Sequence, residues 1–553
     1  MKRFLWLGFV ACLFLICTGC GDTFRPIIIP NPPTFPNPAA AHSVLTISDN
    51  GTAAAGSVMV VDVSGDSDIS ETSVGLAPVH AVQQTANQVL VVNHSVSGAQ
   101  DDSLSKLNFN SNLGVASTTT ISMPTNSSPN FVAVAPNDTT AYVSLPNFAP
   151  PSVGVVNTTT NSLDATISVG NNPVAVAVTP NRTKVYVANQ GDSTVSGFNT
   201  GNQSLSPRTG SPTTTASAPI WVVARSDNQR VYILEQNGTL QYLDTTATAG
   251  PDPLDPSGPT GISVPGAVSM VYDSNKNRLY IPGGPILKIV DVSQSAPTVL
   301  ATISIPNIPS LPASVPATAV AVTALPDGSR AYVGSVTNKA LASQVSVSAV
   351  QGDGKTATYT YTWTGGHDLT PGITVTVSGI AAPNDGFNGT YIVASVSGSS
   401  CVSQTCTFQA ANSTVLNAQT AVTGSASSVV NNLFPQVTVV DVSSNAIKTT
   451  LAIPGFPDAT DPSTPLYYAP ICAAPVPPAP YRATFRFMMA AGGDSSRAYL
   501  SSCDGGNLNF IDTTNGNDQY IQSLPAPVSS SRAPIPPSTF NPPQNPVFLL
   551  AGP

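Results

Sequence analysis

Four of the seven cysteines, the four histidines and a few aspartate pairs are the residues whose types could do chemistry in this 553-residue chain. Cys401, Cys406, Cys472 and Cys503 are an even set in the C-terminal half. Three pairings are open to them, and the local one joins Cys401 to Cys406 and Cys472 to Cys503. Tetrahedral zinc is the rival use of four cysteines. These four form no C-x-x-C knuckle and have no nearby histidine, so disulfides are their expected state. His42, His80, His94 and His367 are the only histidines, and none lies at metal-ligand spacing from another. The pairs Asp66/Asp68, Asp101/Asp102 and Asp252/Asp255 lack the alternating ligands and closing glutamate of a calcium loop. They read as solvated turn carboxylates. No G-x-S-x-G elbow occurs, and the Gly-Gly turns at 283–284 and 505–506 open no helix. No catalytic, cofactor-binding or metal-binding residue is therefore assigned, and no cofactor is expected.

Composition limits the partners. Charged residues are 9% of the chain, hydrophobic residues 41%, and the formal net charge is −9. No Lys/Arg cluster is present, so nucleic acid is a poor partner. Short runs of Val, Ile, Thr, Tyr and Phe are separated by the turn chemistry of 41 glycines and 52 prolines. That pattern predicts an all-β chain.

The N-terminus reads as an export signal. Lys2 and Arg3 precede the apolar run Phe4 to Ile16, which is too short to span a bilayer. Cys17-Thr18-Gly19-Cys20-Gly21 follows and resembles a bacterial lipoprotein lipobox, although Cys17 stands where leucine is usual. The resemblance implies lipidation of Cys20, a signal peptide over 1–19 and anchoring to a membrane of the cell envelope. Cleavage without lipid is the plainer alternative. Residues 20–43 are proline-rich and read as an extended stalk.

The body repeats. Residues Pro173 to Thr200 parse as three short strands separated by a Pro-Asn and a Gly-Asp turn. Related units begin near 79, 131, 174, 220, 268, 319 and 486, spaced by one period of a propeller blade over most of the chain. The segment PNRTKVYVANQGDSTVSGFNT at 180–200 resembles the YVTN-type β-propeller repeat of surface and periplasmic proteins. This implies a closed propeller of seven or eight four-stranded blades, with the count of inner strands favouring eight. The first unit lacks an inner strand, and the apolar end Asn545 to Pro553 is expected to supply it.

One blade is interrupted. Its second strand ends near 334 and its third resumes at Pro435, leaving 343–434 as an inserted module between propeller parts 44–342 and 435–553. Alternating runs such as TATYTYTW and GITVTVSG predict a small β-sandwich. GITVTVSGIAAPNDGFNGTYIVASV at 372–396 resembles the Ig-like modules of bacterial surface proteins. A further segment, GNQSLSPRTGSP at 201–212, resembles part of the lactonase-type propellers.

Two functions follow. The first is a non-enzymatic binding or scaffolding lipoprotein with a protein or glycan partner. Its rival is a lactonase-like hydrolase with a site at the central channel. A channel lined by backbone, Ser, Thr and Asn favours the first, and a convergent Glu/His/Arg set favours the second.

Overall fold

The computed structural model describes residues 42–552 apart from 51–54, 95–101, 137, 202–203, 309–314, 366–368, 370, 398–404, 458–471, 473–485 and 526–544. The leader, Cys20 and almost all of the stalk lie outside the described residues. Those described are antiparallel strands with three short 3₁₀ turns and no α-helix.

Strand pairing produces eight sheets. Each begins with an apolar strand such as Pro78–Thr85, Pro173–Val178 or Thr318–Ala324, and hairpins lead outward from it. A single small sheet buries little apolar surface, so each must pack both faces against neighbours. The hydrophobic clusters record this packing around the whole ring. Leu45 and Val58 of the first sheet meet Val89 and Leu107 of the second. Val92 and Leu104 of the second meet Val132 and Val143 of the third. One cluster runs on through Val155, Val185 and Val231 of the third, fourth and fifth sheets. Leu234 meets Leu279 between the fifth and sixth, and Leu287 meets Val333 between the sixth and seventh. Val439 then meets Leu500, and Tyr499 and Phe510 return to Val61 and Leu549 of the first. The sheets thus close a β-propeller.

Closure uses both ends of the chain. Asn545–Ala551 pairs with Ser43–Asp49 and forms the inner strand of the first sheet. Val547 and Leu549 are almost wholly buried there. Without that strand Ser43–Asp49 would be an open edge.

A repeated polar device sits at the blade boundaries. Lys184, Arg230, Arg278, Arg330 and Arg497 each open the second strand of their blade, and a fully buried tyrosine stands two residues on. Each cation crosses to the next blade. Lys184 Nζ donates to Thr245 O at 2.6 Å, and Arg230 Nε to Ser295 O at 3.4 Å. Arg278 Nη1 donates to Val442 O, and Arg330 Nη2 to Thr513 O, both at 2.7 Å. Arg497 pairs with Asp66 at 2.8 Å, which locks the last blade to the first. The carbonyls of the buried residues Thr245, Val442 and Thr513 would otherwise go unpaired, a cost of about 1–3 kcal/mol each.

Two expectations are corrected. The fifth sheet has three strands, not four. Its last strand would fall in the stretch 245–266, where Pro251, Pro253, Pro256, Pro259 and Pro265 remove the donors a ladder needs. Only the isolated bridges Thr239–Ser263 and Leu243–Leu254 form.

The insertion is real but differently built. Strands Arg330–Asp353 and Leu416–Asp441 run without a break through positions 343 and 434. Their ladder extends from Arg330↔Asp441 to Asp353↔Leu416, so the module grows out of the blade's own hairpin and is not hung on a loop. Pairing then passes from Arg330–Asp353 to Thr356–Gly365, Thr405–Ala411, Gly389–Ser397, Thr374–Ser378 and back to Leu416–Asp441. That circuit is a closed six-stranded barrel, where two facing sheets were expected. Its interior holds Tyr359, Tyr361, Phe387 and Phe408, with Tyr359 stacked on Phe408 at 4.6 Å. Closing the sheet leaves no edge strand to protect.

Candidate binding surfaces: the axis and the outer grooves

The inner strands place aromatic side chains at the ring axis. His80 stands on Pro78–Thr85, Trp221 on Pro219–Ala224 and Phe548 on Asn545–Ala551, while Phe131 immediately precedes Val132–Val134. His80 stacks on Phe131 with centroids 3.8 Å apart and lies 4.6 Å from Phe548. Phe131 meets Trp221 edge-on at 5.4 Å. The third and fifth blades, which are not neighbours, touch through this last pair. Beside it lies a cavity of about 50 Å³ lined by Trp221, Met270, Val320, Phe487 and Met488, among others. These come from inner strands, or their leading residues, in the fifth, sixth, seventh and eighth blades.

The axis therefore has neither of the linings anticipated for it. Apolar and aromatic side chains fill it, with one histidine. His80 Nδ1 accepts the Val132 N–H at 3.4 Å, and burial pushes its pKa down to about 3. It is a neutral packing residue at ordinary pH.

The other singled-out residues serve the scaffold. His94 donates through Nδ1 to Pro129 O at 3.2 Å. His367 and Asp101 lie outside the described residues. Asp66 holds Arg497. Asp102 accepts the Ser127 and Ser128 N–H groups, and Asp255 accepts the Tyr242 N–H. Asp68, on an outer strand beside Glu71, has its pKa raised to about 6, chiefly by desolvation and then by the neighbouring carboxylate. Among the described residues, no three His, Cys, Asp or Glu side chains gather as a metal site.

Arg208, in the segment that resembles lactonase propellers, is 97% or more buried as a residue and faces the next blade. Its Nε pairs with Asp252 Oδ2, and Nη2 donates to Asp252 Oδ1 at 2.9 Å. Lys184 approaches the same carboxylate at 3.4 Å, and the Tyr186 hydroxyl donates to it at 2.8 Å. All acceptor positions of Asp252 are occupied, so this segment clamps two blades together and offers no free acid or base.

Cys472 and Cys503 form a disulfide with a Cα–Cα distance of 5.6 Å, packed against Val547 of the closing strand. Cys406 is also disulfide-bonded, and Cys401 lies outside the described residues.

No family model and no curated protein matches the chain. Among solved structures it is similar to the periplasmic gluconolactonase PpgL of Pseudomonas aeruginosa, at 14% identity and TM-score 0.38 over 54% of this chain and 91% of that one. It is also similar to apo AztD of Citrobacter koseri, at 9% identity and TM-score 0.46 over 92% and 98% of the two chains. Hydrazine synthase of Kuenenia stuttgartiensis aligns at 11% identity and TM-score 0.37 over 72% and 86%. Likeness at this level assigns no activity. The strand pairing and the packed axis define the class: a β-propeller carrying a β-barrel on one blade.

Proposed function

We propose that this chain is a non-enzymatic binding or scaffolding lipoprotein of the bacterial cell envelope. It would present a propeller face and the inserted barrel to a protein or glycan partner. The observation that carries this reading is the packed axis. His80 is held neutral between Phe131 and Phe548, where a hydrolase with a central site would need solvated, titrating groups. The buried cations and carboxylates at the blade boundaries are consumed by blade-to-blade bonds, which favours a rigid platform over a reacting site. Export is supported by the Cys472–Cys503 bridge, since such bonds persist in oxidising compartments. Anchoring rests on the sequence around Cys20.

The test uses the full chain expressed with its leader. The wild type should partition with membranes and resist high salt, and Cys20→Ser should leave the folded protein in the soluble fraction. The soluble variant should hydrolyse no sugar lactone above the buffer rate, and should bind purified cell-envelope fragments saturably. Lactone turnover that tracks the folded protein would overturn the reading, as would the absence of any envelope binding.

A further inference from the structure

Between the fourth and fifth blades, on the face that carries the turn from first to second strand, lies a groove of about 460 Å³. That volume suits a small ligand. Four carboxamides line it: Asn181, Asn199, Asn228 and Gln229. Their oxygens are all engaged within the protein. Asn228 Oδ1 accepts the Asn181 N–H at 2.7 Å, and Asn181 Oδ1 accepts the Thr183 hydroxyl at 2.8 Å. Asn199 Oδ1 accepts from Arg208 Nη1 at 2.6 Å, and Gln229 Oε1 accepts from Arg225 Nη2 at 3.3 Å. None of the four NH₂ groups donates to another described residue. A carboxamide NH₂ can give two hydrogen bonds. The four amides are thus biased: their oxygens are engaged and their NH₂ donors remain.

The charge beneath it has a sign. Lys184, which lines the groove, shares the single carboxylate of Asp252 with Arg208 behind it, and the cluster keeps one positive charge in excess. Asp227, at the rim, is already paired with Arg225 at 2.7 Å. An excess cation in a chain of net charge −9 is a local reversal. Carboxylate oxygens accept hydrogen bonds without donating, which matches both the free donors and the charge.

We propose that this groove binds a carboxylated sugar, of the uronic-acid class, whose carboxylate and ring oxygens accept from the four amides. The proposal rests on the glycan branch of the binding function above and gives it a location and a ligand chemistry.

The probes are a galacturonic-acid trisaccharide and the neutral cellotriose, titrated calorimetrically into the full mature chain. The variants are Gln229→Met, which removes a donor without adding charge, and Asn181→Asp, which keeps the acceptor for Thr183, removes the donor and adds a negative charge. Both should melt as the wild type does. The wild type should bind the uronate more tightly than cellotriose, and more weakly as salt rises. Gln229→Met should weaken uronate binding by about tenfold, the loss of one charge-assisted hydrogen bond, and Asn181→Asp by more, because its carboxylate also repels the ligand. Three results would each overturn the proposal: no uronate binding at millimolar concentration, equal affinity for the neutral sugar, or unchanged affinity in both variants. Envelope binding that persists in these variants would leave the scaffold function standing and remove only the groove from it.

Discussion

His80 lies against Phe131, with ring centroids 3.8 Å apart and planes 27° apart, and its Nδ1 accepts the N–H of Val132 beside that same phenylalanine. One residue of the second blade therefore satisfies the backbone of the third and fills the axis at once.

This packing makes the ring acid-sensitive. Burial lowers the His80 pKa to about 3, below its ordinary value near 6.5. A base with a depressed folded pKa contributes its full stability above the unfolded pKa. That stability is lost as pH falls from about 6.5 toward 3. The slope should approach about 1.4 kcal/mol per pH unit within that window. His80→Phe keeps the stack and removes the titration, so its melting temperature should fall less between pH 7 and pH 4 than that of the wild type. Parallel pH profiles would count against a neutral buried imidazole.

Arg208 should matter to stability. Arg208→Ala leaves Asp252 buried with Lys184 as its only formal counter-charge, and should cost about 3–5 kcal/mol in denaturant unfolding. Adding Asp252→Asn should recover part of the loss, because the uncompensated carboxylate is then gone. A double variant no better than the single one would show that lost packing dominates.

The closing strand and its disulfide should act on one transition. Phe548→Ala opens a hole at the axis and should cost about 3–5 kcal/mol. Reducing Cys472–Cys503 releases a loop with a sequence separation of 31 residues, worth about 3–4 kcal/mol on chain-entropy grounds. Deleting 545–553 should lower the melting temperature and expose the edge of Ser43–Asp49, seen as aggregation at rest. Unchanged melting after the deletion would mean that the ring does not close through its ends.

The barrel should be removable at its root. Lys339 and Asn432 are paired directly across the ladder. Replacing residues 340–431 with an Asn-Gly turn should convert the long ribbon into an ordinary blade hairpin. The shortened ring should stay within about 1 kcal/mol of the parent in denaturant unfolding, since the barrel core and the blade cores are separate clusters. Loss of the folded ring would show that the barrel supports its blade.

Much of this architecture was legible in the chain. Apolar runs with period two and turn residues between them define strands because side chains alternate across a pleat. Repetition of one unit implied stacking around an axis. The first blade's missing strand and the apolar tail from Asn545 implied closure, and Cys472 with Cys503 was one of the pairs named. The recurring basic-x-Tyr start at Lys184, Arg230, Arg278, Arg330 and Arg497 was also visible, but its meaning was not. The sequence shows no distant partner for a cation two residues before a tyrosine, and only stacking of the next blade brings that blade's carbonyls within reach. The barrel shows the same limit. Alternation in TATYTYTW marks a strand, yet the same strands can form two sheets or one closed sheet. Which occurs depends on the pairing of Thr374–Ser378 with Leu416–Asp441, a contact such as Thr376 with Ser427 between residues far apart in the chain. The axis was read least well, because Phe131, Trp221 and Phe548 are scattered through the chain and look like ordinary strand residues. Local sequence determined the strands, turns and their repetition, which depend on near neighbours. Tertiary structure alone decided which side chains meet at the axis, in the barrel and across the blades, because those meetings require the ring to be closed first.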